Sequence, residues 1–158
     1  MENGACPVRA AYLRLGRKMG SDLFTLAQLA RAAGMSVDDV QFYRDCGLLQ
    51  PPRRQRRRTD ELAFHVEHVD RLRFIQRAIA HGFLLEDVER FVDETALVTC
   101  NDIYRISVDR LAEYRIARST EHPIVVGLEK LVASCGRVGG RKDCQIVASL
   151  AKSEPEGD

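Results

Sequence analysis

The sequence predicts an all-α chain: a winged helix-turn-helix head, connecting helices, and a long helical arm that ends in a cysteine-bearing loop. Three observations predict it. Two helix-start signatures separated by Gly34 stand in residues 24–47. Apolar residues recur at steps of three and four, or their sums, through Asn101–Ala133. The composition is poor in aromatic residues, at 6% with no tryptophan.

The 158 residues suffice for one ordinary domain or for a small head with an extended arm. No apolar run reaches membrane-spanning length, and the N-terminus lacks the apolar core of a signal peptide. Five cysteines, an odd number, sparsely spaced and without a secretory signal, imply thiols in a reducing cytoplasm. The net charge of +1 conceals an asymmetry, with +5 over residues 1–82 and −4 over residues 83–158. An anionic partner is therefore expected on the first half.

Residues 1–21 lack a sustained period and contain Gly4, Pro7, Gly16 and Gly20, so they are expected to be a disordered extension, with Cys6 a spectator. Thr25-Leu26-Ala27-Gln28 is a capping-box signature that opens a helix closed by Gly34. Ser36-Val37-Asp38-Asp39 opens a second, running through Cys46 and stopped at Gly47. Two short helices joined this way make a helix-turn-helix, a geometry shared by generic helical hairpins and DNA readers. Pro51-Pro52-Arg53-Arg54-Gln55-Arg56-Arg57-Arg58 follows, five arginines in six positions. Directly after a helix-turn-helix, such a run reads as a wing gripping phosphates, with Thr59 to His65 as its returning limb. A third helix is expected from about Val66 to His81, with Val69, Leu72, Ile75 and Ile79 inward and Arg71, Arg73 and Arg77 on its other faces. A short fourth helix carries Leu85, Val88, Phe91 and Val92. His65 and His68 lack a nearby third ligand, and Cys46 reads as packing.

The remaining cysteines, Cys100, Cys135 and Cys144, bracket the arm. Buried free cysteines often act as small inert hydrophobes. Here, though, Cys100 falls at a helix start, where the dipole favours thiolate. Cys135 and Cys144 flank Gly136-Arg137-Val138-Gly139-Gly140-Arg141-Lys142, a loop without a core-forming pattern. Thiolates suit soft or borderline ions. A single straight helix from Asn101 to Ala133 would extend roughly 50 Å, so its two ends cannot meet. A shared site then calls for two chains paired antiparallel as a coiled coil, Cys100 of one beside Cys135 and Cys144 of the other. Gln145 to Lys152 is expected to be a short helix covering the loop, and 153–158 a frayed acidic tail.

With these residues in view, residues 23–152 resemble the MerR family of transcriptional regulators, and most of all its mercury(II)-responsive branch. The resemblance rests on Phe24-Thr25-Leu26, Ala30-Arg31-Ala32-Ala33-Gly34-Met35 and Val40-Gln41-Phe42-Tyr43-Arg44-Asp45-Cys46-Gly47-Leu48-Leu49. It continues through His68-Val69-Asp70-Arg71-Leu72-Arg73-Phe74-Ile75, Gly82-Phe83-Leu84-Leu85-Glu86-Asp87-Val88 and Cys144-Gln145-Ile146-Val147-Ala148-Ser149-Leu150. The intervals between the three cysteines are similar to those of the family's mercury sensors. The resemblance implies a cytoplasmic homodimer, not an enzyme, acting with RNA polymerase on double-stranded promoter DNA. Its metal-bound form bends and untwists the DNA to activate resistance genes, an indirect-readout mechanism.

The resulting division is 1–21 extension, 22–82 winged helix-turn-helix DNA-binding domain, 83–99 connecting helix and loop, 100–152 dimerisation helix and metal-binding loop, and 153–158 tail. The expected metal ligands are Cys100, Cys135 and Cys144. The expected DNA contacts are Thr25, Arg31, Ser36, Gln41, Tyr43 and Arg44, with Arg53, Arg54, Arg56, Arg57 and Arg58 of the run. Mercury(II) is the expected inducer, with cadmium(II), lead(II) and zinc(II) as alternatives. Three thiolates without a fourth ligand favour mercury, whereas zinc prefers four ligands. Three departures from the family pattern stand out. Gln41 replaces the usual arginine of the recognition helix, so adenine rather than guanine is its expected partner. Glu61-Leu62-Ala63-Phe64 replaces a Tyr-Arg-x-Tyr wing pattern. Pro123 falls inside the dimerisation helix and Gly127 weakens the same region, so a kink near Ser119–Pro123 or a break is expected. A full break is the alternative that folds the helix back and builds the site within one chain. A thiol metal buffer or enzyme and a DNA-binding coregulator without inducer control are the rival readings.

Overall fold

The computed structural model describes residues 24–49, 64–93 and 96–152. Among these, seven α-helices and one 3-10 turn form two compact units that divide between Ile75 and Gln76. The all-α expectation is borne out. Cys6, the arginine run Arg53–Arg58, and Glu61 and Leu62 lie outside the described residues.

The first unit is built on two capped helices. Helix α1 is Leu26–Ala33. Thr25 Oγ1 accepts from the Gln28 amide (3.2 Å) while Gln28 Oε1 accepts from the Thr25 amide (3.0 Å), satisfying two donors that a helix start leaves unpaired. Gly34 ends α1 with φ +71°, a left-handed conformation natural to glycine. Helix α2 is Val37–Asp45, capped by Ser36 Oγ, which accepts from the Asp39 amide at 3.1 Å. Phe24 and Phe64 pair as a single antiparallel bridge, exchanging bonds of 2.7 and 2.8 Å. This pins Phe64 to the start of α1. Leu29, Ala30, Ala33, Val40, Leu49, Phe64, Val69 and Leu72 close over one core.

Helix α3, Val66–Ala80, begins in this unit and ends in the second. Its N-terminus is tied by the His65 amide donating to His68 Nδ1 at 3.0 Å, which gives that histidine pair a capping role. Val69, Leu72 and Ile75 are buried as expected, but Ile79 is 38% exposed and Phe74 and Ala78 take the inward places.

The second unit contains α4 (Leu85–Val92), α5 (Cys100–Ala117), α6 (Pro123–Ser134), the 3-10 turn Arg141–Asp143 and α7 (Gln145–Ala151). The arm is thus two helices rather than one. Pro123 occupies the first position of α6, where its missing N–H costs nothing, and His122 Nδ1 caps the helix by accepting from the Ile124 amide at 3.3 Å. Residues 118–122 reverse the chain, and α6 packs back along α5. Leu111 of α5 is buried with Val125 and Leu128 of α6, and Arg115 reaches Glu129 at 2.7 Å. Gly82 (φ +89°) lets the hairpin seat: a Cβ there would stand 2.5 Å from the Tyr114 ring and 2.7 Å from Ile124. Gly127, read from sequence as a weak point, is where the His81 ring meets α6, 3.1 Å from a notional Cβ. Asp87 of α4, only 5% exposed, accepts from Arg110 Nε (2.6 Å) and Nη2 (3.2 Å) and so joins α4 to α5.

Candidate metal centre and nucleic-acid interface

The hairpin decides where the three thiols go. Cys100 is the first residue of α5, behind Thr99, whose hydroxyl accepts from the Asp102 amide at 3.2 Å. Asp102 in turn accepts from the Thr99 hydroxyl (2.6 Å) and amide (2.9 Å), and these bonds hold its carboxyl below the usual carboxylate range. Cys135 is the C-cap of α6, so the fold-back returns it to the level of Cys100. The loop then runs past α5: the Cys100 amide donates to the Gly139 carbonyl at 3.1 Å, and Thr99 bridges Gly140. Gly139 has φ +94°, and a Cβ there would collide with Asp143, whose Oδ2 accepts from the Gly140 amide at 3.2 Å. That turn delivers Cys144, fully buried, as the N-cap of α7.

The three Sγ atoms all lie within 4.8 Å of one another, and Cys100 Sγ is 3.4 Å from Cys135 Sγ. Three thiolates around an ion at about 2.3 Å stand about 4 Å apart, so the set fits one soft ion. Among the described residues no fourth His, Cys, Asp or Glu joins the cluster. The expectation that two chains must meet to assemble this set assumed a straight helix. The break at Pro123 removes that assumption, and the structure brings all three sulfurs together in one chain.

A second expectation is also corrected. The helix start was expected to favour thiolate at Cys100. Burial instead pushes that thiol up to about 12, with the neighbouring Cys135 and Cys144 adding to the rise. Desolvation outweighs the dipole, because Cys100 is 1% exposed and shares its space with two further thiols.

Sequence reading missed the supports of the loop. Arg137, two residues beyond Cys135, has φ +57°, uncommon for a residue with a Cβ. In that conformation its amide approaches Cys135 Sγ at 3.4 Å, and its guanidinium lies 5.2 Å over the Tyr104 ring. Arg141 Nη1 donates to the carbonyls of Phe91 (3.0 Å) and Asp93 (2.6 Å), capping the C-terminus of α4. The only sequence signal was that the loop is basic.

In the first unit, Thr25 and Ser36 spend their side-chain oxygens on helix caps. Arg31 and Gln41 are exposed. Tyr43 leans on the core, and burial, followed by Asp39 and Cys46, raises its phenol above the ordinary value. Arg44 pairs with Asp45 at 3.3 Å. Phe42 is 54% exposed beside Gln41, an apolar ring on the outer face of α2 that the period of the helix did not single out. The five arginines of the run fall outside the described residues.

The comparisons agree with this architecture. Residues 24–95 match the MerR HTH family regulatory protein model. The mercuric resistance operon regulatory protein of Serratia marcescens is 28% identical over 137 residues, covering 84% of this chain and 92% of that protein. That of Pseudomonas fluorescens is 27% identical over 129 residues, covering 80% and 86%, and that of Bacillus cereus 24% over 131 residues, covering 82% and 98%. The crystal structure of the transcription regulator PbrR691 from Ralstonia metallidurans CH34 in complex with lead(II) shares the fold. Its TM-score is 0.52 at 24% identity, covering 79% of this chain and 97% of that one. Among the described residues no helix is long and apolar enough to cross a membrane. Residues 24–95 thus carry the MerR HTH domain, and over about four fifths of its length the chain is similar to proteins that are transcription regulators, not enzymes.

Proposed function

We propose that this regulator binds promoter DNA as a cytoplasmic homodimer and is induced by mercury(II) held on Cys100, Cys135 and Cys144. The observation that carries the metal is the set of three Sγ atoms within 4.8 Å of one another with no fourth donor of the described residues among them. Mercury(II) is well served by three soft thiolates, whereas zinc would look for another ligand. Relatives known as mercuric resistance regulators support the choice. Ligation requires the thiols to lose their protons, so this chain's part is to hold three sulfurs ready and to release protons as the metal enters.

On the DNA side, exposed Gln41 is the base-reading residue, and its amide suits adenine. Arg31 and the Arg53–Arg58 run supply phosphate contacts, while Thr25, Ser36, Tyr43 and Arg44 complete the contact set. Metal-driven distortion of the promoter, through which RNA polymerase gains access, is the output.

Competitive titration of the reduced protein with mercury(II), lead(II), cadmium(II) and zinc(II), in glutathione, tests the metal. A thiolate-to-mercury charge-transfer band and proton release are expected at one ion per site. Tighter binding of lead(II) or cadmium(II) than of mercury(II) would transfer the assignment to that ion. Metal-dependent transcription in vitro from the DNA upstream of the coding region tests the output. It separates this reading from a thiol buffer and from an uninducible coregulator.

A further inference from the structure

Helix α3 carries three arginines, and each ends on backbone carbonyls at or just beyond the C-terminus of a different helix. Arg73 Nη2 donates to the Ala32 carbonyl in the last turn of α1 at 3.0 Å. Arg71 Nε donates to the Leu48 carbonyl, three residues beyond α2, at 2.6 Å. Arg77 Nη1 donates to the carbonyls of Leu150 (2.8 Å) and Ala151 (3.2 Å), at the end of α7. Carbonyls at a helix C-terminus lack intrahelical donors and carry the negative end of the dipole, so a guanidinium is a strong cap for them.

Helix α7 is the piece of chain that leaves the thiol cluster. Cys144 is its N-cap, the Cys144 carbonyl accepting from the Ala148 amide at 3.0 Å. Its apolar residues Ile146, Val147 and Leu150 are buried, so it is fixed to the core along its length. One end of this seven-residue rod is therefore a thiol of the cluster, and the other end is held by Arg77. Close-packed elements pass on displacements of this kind rather than absorbing them.

We infer that Arg77 is a positioning residue that couples metal capture at Cys144 to α3, the helix whose Arg71 and Arg73 hold the ends of the helix-turn-helix. The inference rests on the proposed function, since it needs a metal at the thiols and DNA at the first unit. Ligation fixes Cys144. The carbonyls at the far end of α7 then favour one placement of the Arg77 guanidinium, and hence one state of α3. Arg77 touches neither metal nor DNA in this scheme. Its contribution is to the coupling between them.

The test uses the full-length protein and its Arg77→Met and Arg77→Lys variants. Mercury(II) affinity is measured without DNA, DNA affinity without metal, and mercury(II)-dependent transcription from the chain's own upstream DNA. Couplings between sites are typically about 5- to 150-fold. For Arg77→Met, both separate affinities should stay within about threefold of wild type while the metal response falls by about tenfold or more, with Arg77→Lys between the two. Should the methionine variant fail to fold, Arg77→Gln, which keeps a neutral donor, takes its place with the same expectation. A wild-type response in Arg77→Met overturns the inference. A parallel loss of both affinities also overturns it and marks Arg77 as merely structural. If wild type itself binds mercury(II) without any change in transcription, the proposed function fails, and the coupling fails with it.

Discussion

Cys100 Sγ lies 3.4 Å from Cys135 Sγ, although 35 positions of mostly helical chain separate them. The contact exists because α5 stops at Ala117 and α6 restarts at Pro123, so the second helix retraces the first.

The first prediction concerns which chain supplies the thiols. Cys100→Ala chains mixed with Cys135→Ala/Cys144→Ala chains should yield heterodimers without tight mercury(II) binding, because neither chain keeps all three sulfurs. Wild-type chains paired with triple-alanine chains should bind one tight equivalent per dimer. A site shared across the dimer predicts the opposite in both mixtures. Metal titration of purified heterodimers, with the two chains differently tagged, distinguishes the two outcomes.

The pH dependence has two opposite signs. Burial raises the Cys100 thiol from an ordinary 9.0 to about 12, so the folded apo protein favours the protonated form. A group raised in this way stabilises the fold fully below its unfolded value and loses that contribution as pH rises through the folded one. Thermal unfolding of the apo protein should therefore show stability declining from about pH 9 towards pH 12, and Cys100→Ala should flatten the decline. Mercury(II) affinity should move the other way, weakening as pH falls, since protons compete with the ion for the same sulfurs. A metal affinity indifferent to pH would mean that the thiols are not the ligands.

The Arg110–Asp87 pair fixes α4 against α5 with bonds of 2.6 and 3.2 Å, and Asp87 is 5% exposed. Asp87 also accepts from the Leu84 amide at 2.9 Å, which caps α4. Removing one partner of a buried ion pair leaves the other charge uncompensated, typically a loss of about 3–5 kcal/mol. Arg110 is 18% exposed in its side chain, so water relieves part of this, and Arg110→Met is expected near the lower end. Replacing both, as Asp87→Leu/Arg110→Met, should recover much of the loss. Urea unfolding of the two single variants and the double variant measures the difference.

Much of the fold was legible because local signals agree with it. Thr25 with Gln28, Ser36, Gly34 and Cys100 announced helix ends that the structure places at those residues. The three cysteines were legible as a set from residue type and spacing. Their assembly was not, because a three- and four-residue period runs through both α5 and α6 and reads as one helix across residues 118–122. Pro123 marked the interruption, but whether it kinks or reverses the chain depends on distant partners such as Gly82 and Tyr114. The inward face of α3 was misread at its last turn for a similar reason. Ile79 satisfies the period, yet Ala78 is the residue that faces the core. Arg71, Arg73 and Arg77 read only as residues on the other faces of α3, whereas each ends on carbonyls at or just beyond the end of another helix.

Gly82 gives a sharp test of the hairpin. It holds φ +89°, and a Cβ would lie 2.5 Å from Tyr114 and 2.7 Å from Ile124, one side chain from each arm. Gly82→Ala therefore meets strain and overlap together, each typically costing about 1–3 kcal/mol. Tyr114→Ala in the same chain removes the nearer obstacle but leaves the backbone strain, so it should restore only part of the stability. Thermal unfolding and mercury(II) titration should respond together if the α5–α6 hairpin brings the thiols into place. Full metal affinity in a clearly destabilised Gly82→Ala chain would separate the site from the hairpin.

The last prediction returns to the arginine run, which lies outside the described residues and rests on sequence alone. Each phosphate contact releases counterions, contributing about 0.9 to the slope of log affinity against log salt on duplex DNA. Arg56→Ala/Arg57→Ala/Arg58→Ala should weaken binding to operator and non-specific DNA alike, and lower the slope by about two to three. Gln41→Ala should behave differently. Its side chain is exposed on α2 and is the one proposed to read a base edge, so operator affinity should fall by about 1–3 kcal/mol while non-specific affinity and the slope hold. Fluorescence anisotropy on operator and scrambled duplexes across a salt series reads both quantities from one set of titrations. An unchanged slope in the triple variant would make the run a solvated loop. A uniform loss on both duplexes for Gln41→Ala would remove it from base reading.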